Sequence, residues 1–258
     1  MEKSQEHFIA LIDIMGFADF VKNETTEYVH KYLSDLIVVS KQFNQNLFDY
    51  NIKIFSDTIV ISTPIQKESK VEFHKFLIYI NNLQLANIIE PRLGRLPLRG
   101  AITKGEFFTD NKDLIFGKAL VEVAEIEKDT AFYPRIIAPE ELMPEKVRAS
   151  TGILHSVFIE TGFDKKVKGG GLENFNEHSY PVRRDFDGLL CCNYLYSLKN
   201  FKGGWANDFE TYIQKHRNFI IHNLGKSKTY SVVRKYGWMK EYHNWFCSGY
   251  EELKDYVI

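Results

Sequence analysis

The chain contains few cysteines and lacks long apolar runs. Only three cysteines occur among 258 residues, and two of them, Cys191 and Cys192, are adjacent, which argues against a disulfide framework and favours a reducing compartment. The longest apolar runs are far shorter than the ~20 residues that a membrane-spanning helix requires. The first seven residues are polar and acidic, unlike a signal peptide. We therefore expect a cytoplasmic protein with no membrane partner.

An excess of charge of either sign is also missing. The 33 basic and 34 acidic side chains leave a net charge of −1, so no global positive field draws the chain onto nucleic acid. We expect no nucleic-acid partner, and any bound anion must be met by a local site. Hydrophobic residues make up 44% of the chain, enough for a substantial core in one large domain or in one domain with an extension.

Hydrophobic periodicity in the first half predicts alternating strands and helices. A strand at 8–14 precedes a helix at 24–47, and a hairpin of strands at 50–55 and 58–63 precedes a helix at 69–89. A strand at 96–103, broken by Gly100, then precedes a helix at 118–128 and a short strand at 135–138. The order β-α-β-β-α-β predicts an α+β fold of the ferredoxin-like type.

The second half of the chain changes in composition. Residues 160–187 are rich in Gly, Lys, Asn and Asp without a clear period, which predicts an irregular loop segment. Two helices are predicted after it, at 208–223 and 238–256, with aromatic side chains that need a surface to pack on. We therefore divide the chain into a core at 1–159, the loop segment at 160–187, and a C-terminal helical extension at 188–258 that packs on the core or on a second subunit.

Two aspartates at strand ends are the main candidates for chemistry. Asp13 ends an apolar, β-branched run, and Asp57 lies in the tight turn of the predicted hairpin. Carboxylate oxygens are the ligands that Mg²⁺ and Mn²⁺ prefer, and a converging pair can hold two metal ions for phosphoryl transfer. Taken singly, either aspartate has an equally reasonable role as a turn or helix-capping residue.

These motifs resemble the class III nucleotidyl cyclases, which place one metal aspartate in an Asp-x-x-Gly-Phe loop after the first strand and the other in the turn of the following hairpin. The stretches Asp13-Ile14-Met15-Gly16-Phe17 and Phe55-Ser56-Asp57 are similar to both. Leu98-Arg99-Gly100-Ala101-Ile102 resembles a later family strand, and Ile115-Phe116-Gly117-Lys118 resembles the start of the next helix. The resemblance covers residues 8–138 and implies a ferredoxin-like class III cyclase core.

The bacterial branch that the chain resembles more closely is the pyrimidine cyclases of Pycsar antiphage defence. Further stretches carry this resemblance, among them Phe116-Gly117-Lys118-Ala119-Leu120-Val121-Glu122, Tyr133-Pro134-Arg135-Ile136 and Lys235-Tyr236-Gly237-Trp238. The branch implies conversion of UTP or CTP to a cyclic nucleotide. That product would act as a second messenger on a separate effector, and the enzyme would be a homodimer with its sites between the subunits.

The resemblance also assigns roles to residues of the site. Asp13 and Asp57 would bridge two Mn²⁺ or Mg²⁺ ions, with the Ile14 carbonyl as a further ligand. Backbone N–H groups near Gly16 and Phe17 would cradle the phosphates. A strand arginine, Arg99, is a candidate substrate contact, and a structural salt bridge is the equally reasonable alternative for it.

The predicted strand alternation places Lys53 and Phe55 on the same face. The resemblance implies that this face meets the base, on which Phe55 would stack unless it is an ordinary core residue. Because lysine only donates hydrogen bonds, Lys53 can pair with O4 of uracil but not with the N4 amine of cytosine, which favours UTP. O2 of either pyrimidine would also accept.

One departure from the family leaves alternatives open. Purine cyclases carry an Asn and, four residues later, an Arg on the third helix, where this chain has Val121 or Glu122 and then Glu125 or Ile126. Neither of the later pair can replace a cation. The stabilising charge must then come from the metals, from the other subunit, or from a basic side chain of this chain; the candidates are Arg99, Lys104, Lys118 and Arg135. A cytidylate cyclase, a purine cyclase and a silent regulatory domain remain the competing hypotheses.

Overall fold

The N-terminal strand is the centre of an antiparallel sheet. The computed structural model describes residues 5–43, 50–66, 69–93, 96–110, 114–142, 178, 181–200 and 208–258. Strand β1 (Gln5–Ile14) pairs with β3 (Thr58–Pro64) on one side and with β4 (Leu98–Thr109) on the other, and β2 (Asn51–Phe55) extends the sheet beyond β3. The spatial order β2-β3-β1-β4 is the ferredoxin-like arrangement, so the predicted α+β fold class is confirmed.

Short strands continue the sheet beyond β4. Strand β6 (Ile136–Ile137) pairs with β4 in parallel. Beyond β6 the sheet continues with β8 (Leu190–Cys192) and then β7 (Val182–Arg184). Strand β5 (Ile115–Phe116) pairs with the C-terminal end of β4. The sheet thus extends past residue 159, where the sequence predicts the end of the core. Strand β7 lies inside the predicted loop segment, most of which falls outside the described residues.

In the described part of the chain, four helices cover the two faces of the sheet. Helices α1 (Phe17–Asn23), α2 (Thr26–Phe43) and α3 (Ser69–Ile89) lie on one face, where they pack on alternate residues of β1 such as Phe8. Helix α4 (Lys118–Thr130) packs on the opposite face, against residues such as Ile9. The two faces follow from the period-2 alternation of strand side chains.

Helix α3 is buried on more than one side. Its N-terminal part packs against the sheet, and Leu85, Ile88 and Ile89 pack against the C-terminal helices. The buried side-chain amide of Asn81 on this helix donates a hydrogen bond to the Pro181 carbonyl at 2.8 Å. A helix covered in this way carries apolar residues around its circumference rather than along one stripe.

The C-terminal helices form a second core with α3. They are α5 (Tyr196–Asn200), α6 (Phe209–Lys226), α7 (Tyr230–Ser248) and a final 3₁₀ helix (Glu251–Tyr256). The extension therefore contacts the core of its own chain. Helix α7 begins eight residues before the predicted start at 238, and the chain beyond Ser248 continues as the 3₁₀ helix rather than as one long helix. Among the described residues, no helix is both long and apolar enough to cross a bilayer.

Gly100 does not break the fourth strand, so that prediction is wrong. It lies inside the continuous strand β4, opposite Ile12 of β1. A Cβ atom at this position would lie 2.2 Å from the Leu11 carbonyl oxygen and 2.9 Å from the Ile12 Cα. Glycine is required here because two backbones approach closely, and not because the chain turns.

A buried arginine joins the sheet to the C-terminal helices. Arg135 is 1% exposed and forms ion pairs with Asp185 and Asp187, both in the β7–β8 connection. The Asp185 carboxylate also accepts hydrogen bonds from Trp238 Nε1 of α7 at 2.7 Å and from Arg183 at 3.0 Å. These partners keep the pKa of Arg135 above its usual value despite burial, which acts in the opposite direction. Arg135 is thus a structural residue and leaves the set of candidate phosphate contacts.

We predict that Asp185→Asn lowers the free energy of unfolding by up to about 3–5 kcal/mol, because it removes the fully buried partner of Arg135 and leaves only the partly exposed Asp187 to balance the guanidinium. Asp187→Asn is the matched control, since the Asp187 side chain is 31% exposed and water can replace it. Urea unfolding of both variants measures the difference. Equal losses would contradict a special role for the buried carboxylate.

Two buried histidines, His216 on α6 and His243 on α7, take part in a series of hydrogen bonds. The Tyr256 carbonyl can only accept, so His243 Nε2, 3.0 Å away, donates to it. His243 Nδ1 then accepts from His216 Nδ1 at 2.9 Å, and His216 Nε2 accepts from the Tyr194 hydroxyl at 2.9 Å. All of these hydrogen bonds can form together only while both imidazoles are neutral.

We predict that stability falls as pH drops from 6.5 towards 4. Burial lowers the pKa of His216 well below its usual 6.5 and lowers that of His243 to about 4. The unfolded chain then binds more protons than the folded one, so each histidine contributes a slope of up to about 1.4 kcal/mol per pH unit in this window. His222→Gln, which alters an exposed ring, should keep the slope. Unfolding free energies that stay constant between pH 6.5 and 4.5 would contradict the prediction.

Candidate active site

Three of the predicted site residues, together with Thr58, share one face of the sheet. Phe55 pairs with Thr58 across the hairpin, Thr58 pairs with Asp13, and Asp13 pairs with Arg99. Residues directly opposite each other in a sheet project from the same face, so these four side chains form a lateral row. We call it the Asp13 row. It lies on the face that α4 covers in part, at the end where β1 leaves the sheet.

Asp57 is held beside the Asp13 row by the hairpin turn. The Ile14 N–H donates to the Asp57 carbonyl at 2.8 Å. The backbone N–H and C=O of one strand residue point to the same side, so the Ile14 carbonyl also faces this turn. Ser56 adopts a φ of 57° before Asp57, as the first central residue of a two-residue hairpin requires in a type II′ turn. The ends of β1 and of the hairpin thus bring both aspartates together at backbone level.

Asp13 is paired with Arg99. The Arg99 Nε lies 2.7 Å from Asp13 Oδ2, and both side chains are partly exposed, at 32% and 23%. The pair follows from the β1–β4 register, which sets the two residues opposite each other. Arg99 also lies 3.5 Å from the Ala131 carbonyl, at the C-terminal end of α4, where the helix dipole favours a cation.

Glu127 belongs to the same cluster, although it is not among the site residues predicted from the sequence. Its Oε1 lies 3.5 Å from Arg99 Nε, and its side chain is only 18% exposed. Burial raises the pKa of Glu127; Arg99 opposes that shift, while the Asp13 carboxylate adds to it. A usable signal exists in the sequence, because Ala119, Val123 and Glu127 recur every four residues and so share one helix face.

The glycine loop after β1 is formed, but it offers fewer free donors than the motif suggests. Gly16 has φ 81°, a left-handed conformation that favours glycine, and it caps the short helix α1. The Met15 N–H already donates to the Pro97 carbonyl at 2.9 Å. The Phe17 side chain is buried in the core, so only its backbone can contact a ligand.

Lys53 and Phe55 lie on the same face of the sheet as Asp13. Lys53 pairs with Val60, and Val60 pairs with Leu11, two residues before Asp13, so its side chain projects from the face of the Asp13 row. Phe55 is 84% exposed. It is therefore not a core residue, and stacking on a ligand or a partner remains its predicted role.

The helix positions where purine cyclases carry Asn and Arg lie mostly on the outer surface here. Val121, Glu122 and Glu125 are exposed, and Ile126 is partly buried against the sheet. Lys118 pairs with Glu106 at 3.4 Å, and both side chains are exposed. Among the basic candidates for the missing charge, Arg99 is the one that the described structure places beside Asp13.

The residues at this site fit a magnesium or manganese ion. The Asp57 carboxylate is partly exposed and accepts no side-chain hydrogen bond from the described residues, while the Ile14 carbonyl faces the same turn. The donors are all oxygen, as hard cations prefer. No group of three or more His, Cys, Asp or Glu side chains able to hold a metal occurs in the described part of the chain. Two carboxylates suffice where substrate phosphates and water complete the coordination.

Neither a protein-family model nor a curated protein sequence matches this chain. Solved structures with a similar arrangement include the guanylyl cyclase Cya2, at 17% identity and a TM-score of 0.41 over 57% of this chain and 82% of that one. The guanylate cyclase domain of RhGC from Catenaria anguillulae in complex with GTP matches at 11% identity and 0.44, covering 57% and 86%. The adenylyl cyclase CyaB from P. aeruginosa matches at 14% and 0.39, covering 62% and 84%. Because each TM-score is below 0.5, the functional argument depends on the residues of this chain.

We predict that Mn²⁺ raises the thermal stability of the protein and that Asp57→Asn abolishes this effect. A ligand present at about 100 times its Kd adds about 2.7 kcal/mol to the free energy of unfolding. Asp255→Asn, which removes an exposed carboxylate of the final 3₁₀ helix, should leave the shift intact. Melting curves with Mn²⁺ and with EDTA measure the effect. A shift that survives Asp57→Asn would place the ion elsewhere.

Proposed function

We propose that this protein is a metal-dependent nucleotidyl cyclase of the class III type that converts UTP to 3′,5′-cyclic UMP and pyrophosphate. The observation that carries the proposal is the position of Asp13 at the end of β1, next to the hairpin turn that contains Asp57, with Arg99 paired to Asp13. Two carboxylates, a backbone carbonyl and a guanidinium are the groups needed to hold a metal–triphosphate complex. A purely structural turn would not require this combination.

In the proposed reaction the ribose 3′-oxygen attacks the α-phosphorus. The 3′ O–H loses its proton, the new O–P bond forms, and the bond from the α-phosphorus to the bridging oxygen breaks to release pyrophosphate. Bound Mg²⁺ or Mn²⁺ would lower the pKa of the hydroxyl and neutralise the triphosphate. Asp13, Asp57 and the Ile14 carbonyl would hold the ions, and the backbone near Gly16 and Phe17 would hold phosphate oxygens. The protein contributes mainly positioning and charge.

The pyrimidine class is proposed from the resemblance, and Lys53 and Phe55 are the side chains available to bind the base. Both project from the face of the Asp13 row, at alternate positions of β2 close to the turn. Phe55 offers an exposed ring for stacking on a base, and Lys53 is a donor that can meet uracil O4. UTP is favoured on this ground, and CTP, whose O2 also accepts, is the second candidate.

A homodimer is part of the proposal. Large apolar side chains are exposed on the β2–β3 hairpin, on α4 and on β5; they include Phe55, Val121 and Phe116. Beside α4, Phe116 and Val121 line a groove of about 430 Å³ together with Phe107 and Phe108. Exposed apolar groups of this kind favour association. The resemblance places the site between two subunits, and the cyclic nucleotide would then act on a separate effector, in antiphage defence.

The proposal is tested by incubating the protein with ATP, GTP, CTP or UTP and Mn²⁺, and by resolving the products by mass spectrometry. We predict cyclic UMP from the wild type and a loss of at least about 10³-fold in rate for Asp57→Ala, with Asp255→Asn as the active control. Cyclic CMP as the product would identify CTP, the second candidate, as the substrate. A purine product would refute the pyrimidine assignment.

No product from any of the four triphosphates would favour the remaining alternative, a silent regulatory domain. The replaced Asn and Arg positions on α4 are the observation that motivates it.

A further inference from the structure

Arg99 has acceptors on two different elements. On one side its Nε lies 2.7 Å from Asp13 Oδ2 of β1. On the other side α4 presents the Glu127 carboxylate, 3.5 Å from the same Nε, and the Ala131 carbonyl, 3.5 Å from Nη1. A single guanidinium thus lies between two carboxylates, both partly buried, and has a short contact with only one of them.

The contact between Arg99 and Asp13 competes with metal binding at Asp13. A divalent cation on this carboxylate would lie within a few ångström of the guanidinium, where like charges repel strongly in a partly buried site. The oxygen that accepts from Arg99 also loses much of its capacity as a ligand. Metal binding to Asp13 therefore requires Arg99 to be held by another anion.

Glu127 is placed to be that anion. Helix α4 is fixed to the sheet, since Ala119 packs over Gly105, where an added Cβ would lie 3.2 Å from the Ala119 Cβ, and Val123 is fully buried. Glu127 and the Ala131 carbonyl therefore keep their positions, whereas the long, partly exposed side chain of Arg99 can move by rotamer changes. The distance that must close is short, from 3.5 Å to hydrogen-bond length.

We propose that Arg99 exchanges between Asp13 and Glu127, and that Glu127 holds it when Asp13 binds a divalent cation. Glu127 is then a positioning residue, which sets metal affinity through Arg99 without being a ligand. This inference rests on the proposed function, because it assumes a metal site at Asp13 and Asp57. It adds a third carboxylate, from a different element, to the residues that determine whether the site can bind its cations.

The test is Mn²⁺ affinity measured by isothermal titration calorimetry, which needs no turnover. We expect Glu127→Gln to weaken Mn²⁺ binding about tenfold, the scale typical of groups that orient metal ligands. Glu125→Gln is the matched control, because it removes the same charge from the exposed side of the same helix and should leave affinity nearly unchanged. Arg99→Gln should strengthen binding, since it removes the competing cation.

The double variant Arg99→Gln/Glu127→Gln separates the mechanisms. If Glu127 acts through Arg99, its substitution has little further effect once Arg99 is gone. An equal tenfold loss in that background would show that Glu127 acts on the ion directly and would overturn the exchange. An unchanged affinity in Glu127→Gln alone would also overturn it. A wild type that binds no Mn²⁺ would refute the proposed function as well, so the two failures are distinguishable.

Discussion

The register of β1 between its two neighbours is the constraint on which both the core and the site depend. Alternate residues of this strand face the α2–α3 side, while those between them face α4 and include Asp13. A slip of one residue would bury the Asp13 carboxylate among apolar helices and expose Ile12 and Ile14. The same apolar pattern that drives folding therefore places Asp13 opposite Thr58 and Arg99. The candidate site follows from burial of the core, and needs no separate organising element.

Two strand-associated arginines illustrate how burial assigns roles to identical side chains. Arg135 is fully buried and forms ion pairs with Asp185 and Asp187. Because Asp185 also accepts a hydrogen bond from Trp238, this group links the sheet to α7. Arg99 remains one-third exposed and lies between two carboxylates, of which only one is close. A buried, multiply bonded ion pair is costly to break, whereas a partly solvated one can exchange partners. Sequence proximity to a motif does not distinguish these cases, and the environment does.

Much of the fold was predictable because it depends on local patterns. The strand–helix order, the β2–β3 hairpin and the bounds of α3 agree with the elements predicted from the sequence. The misassigned features depend on distant parts of the chain. Glycine is required at position 100 because the backbone of β1 passes close to it. The short helix α1 begins after Gly16, which adopts a left-handed conformation. Strands β7 and β8 join the sheet because β8 pairs with the edge of β6. Contacts between segments that are far apart in sequence produce no periodic pattern of residues in a single sequence.

The same division holds for the site. Residue type and position at strand ends single out Asp13 and Asp57 as candidates, because carboxylate oxygens are the ligands that hard cations prefer; Gly16 and Arg99 enter the predicted site through the resemblance to class III cyclases. The contact of Glu127 with Arg99 and the exclusion of Arg135 could come only from the folded chain. Whether a charged side chain faces water, a partner or a competing ion depends on which elements pack against it. That packing is set by contacts between residues far apart in sequence, which local pattern does not encode.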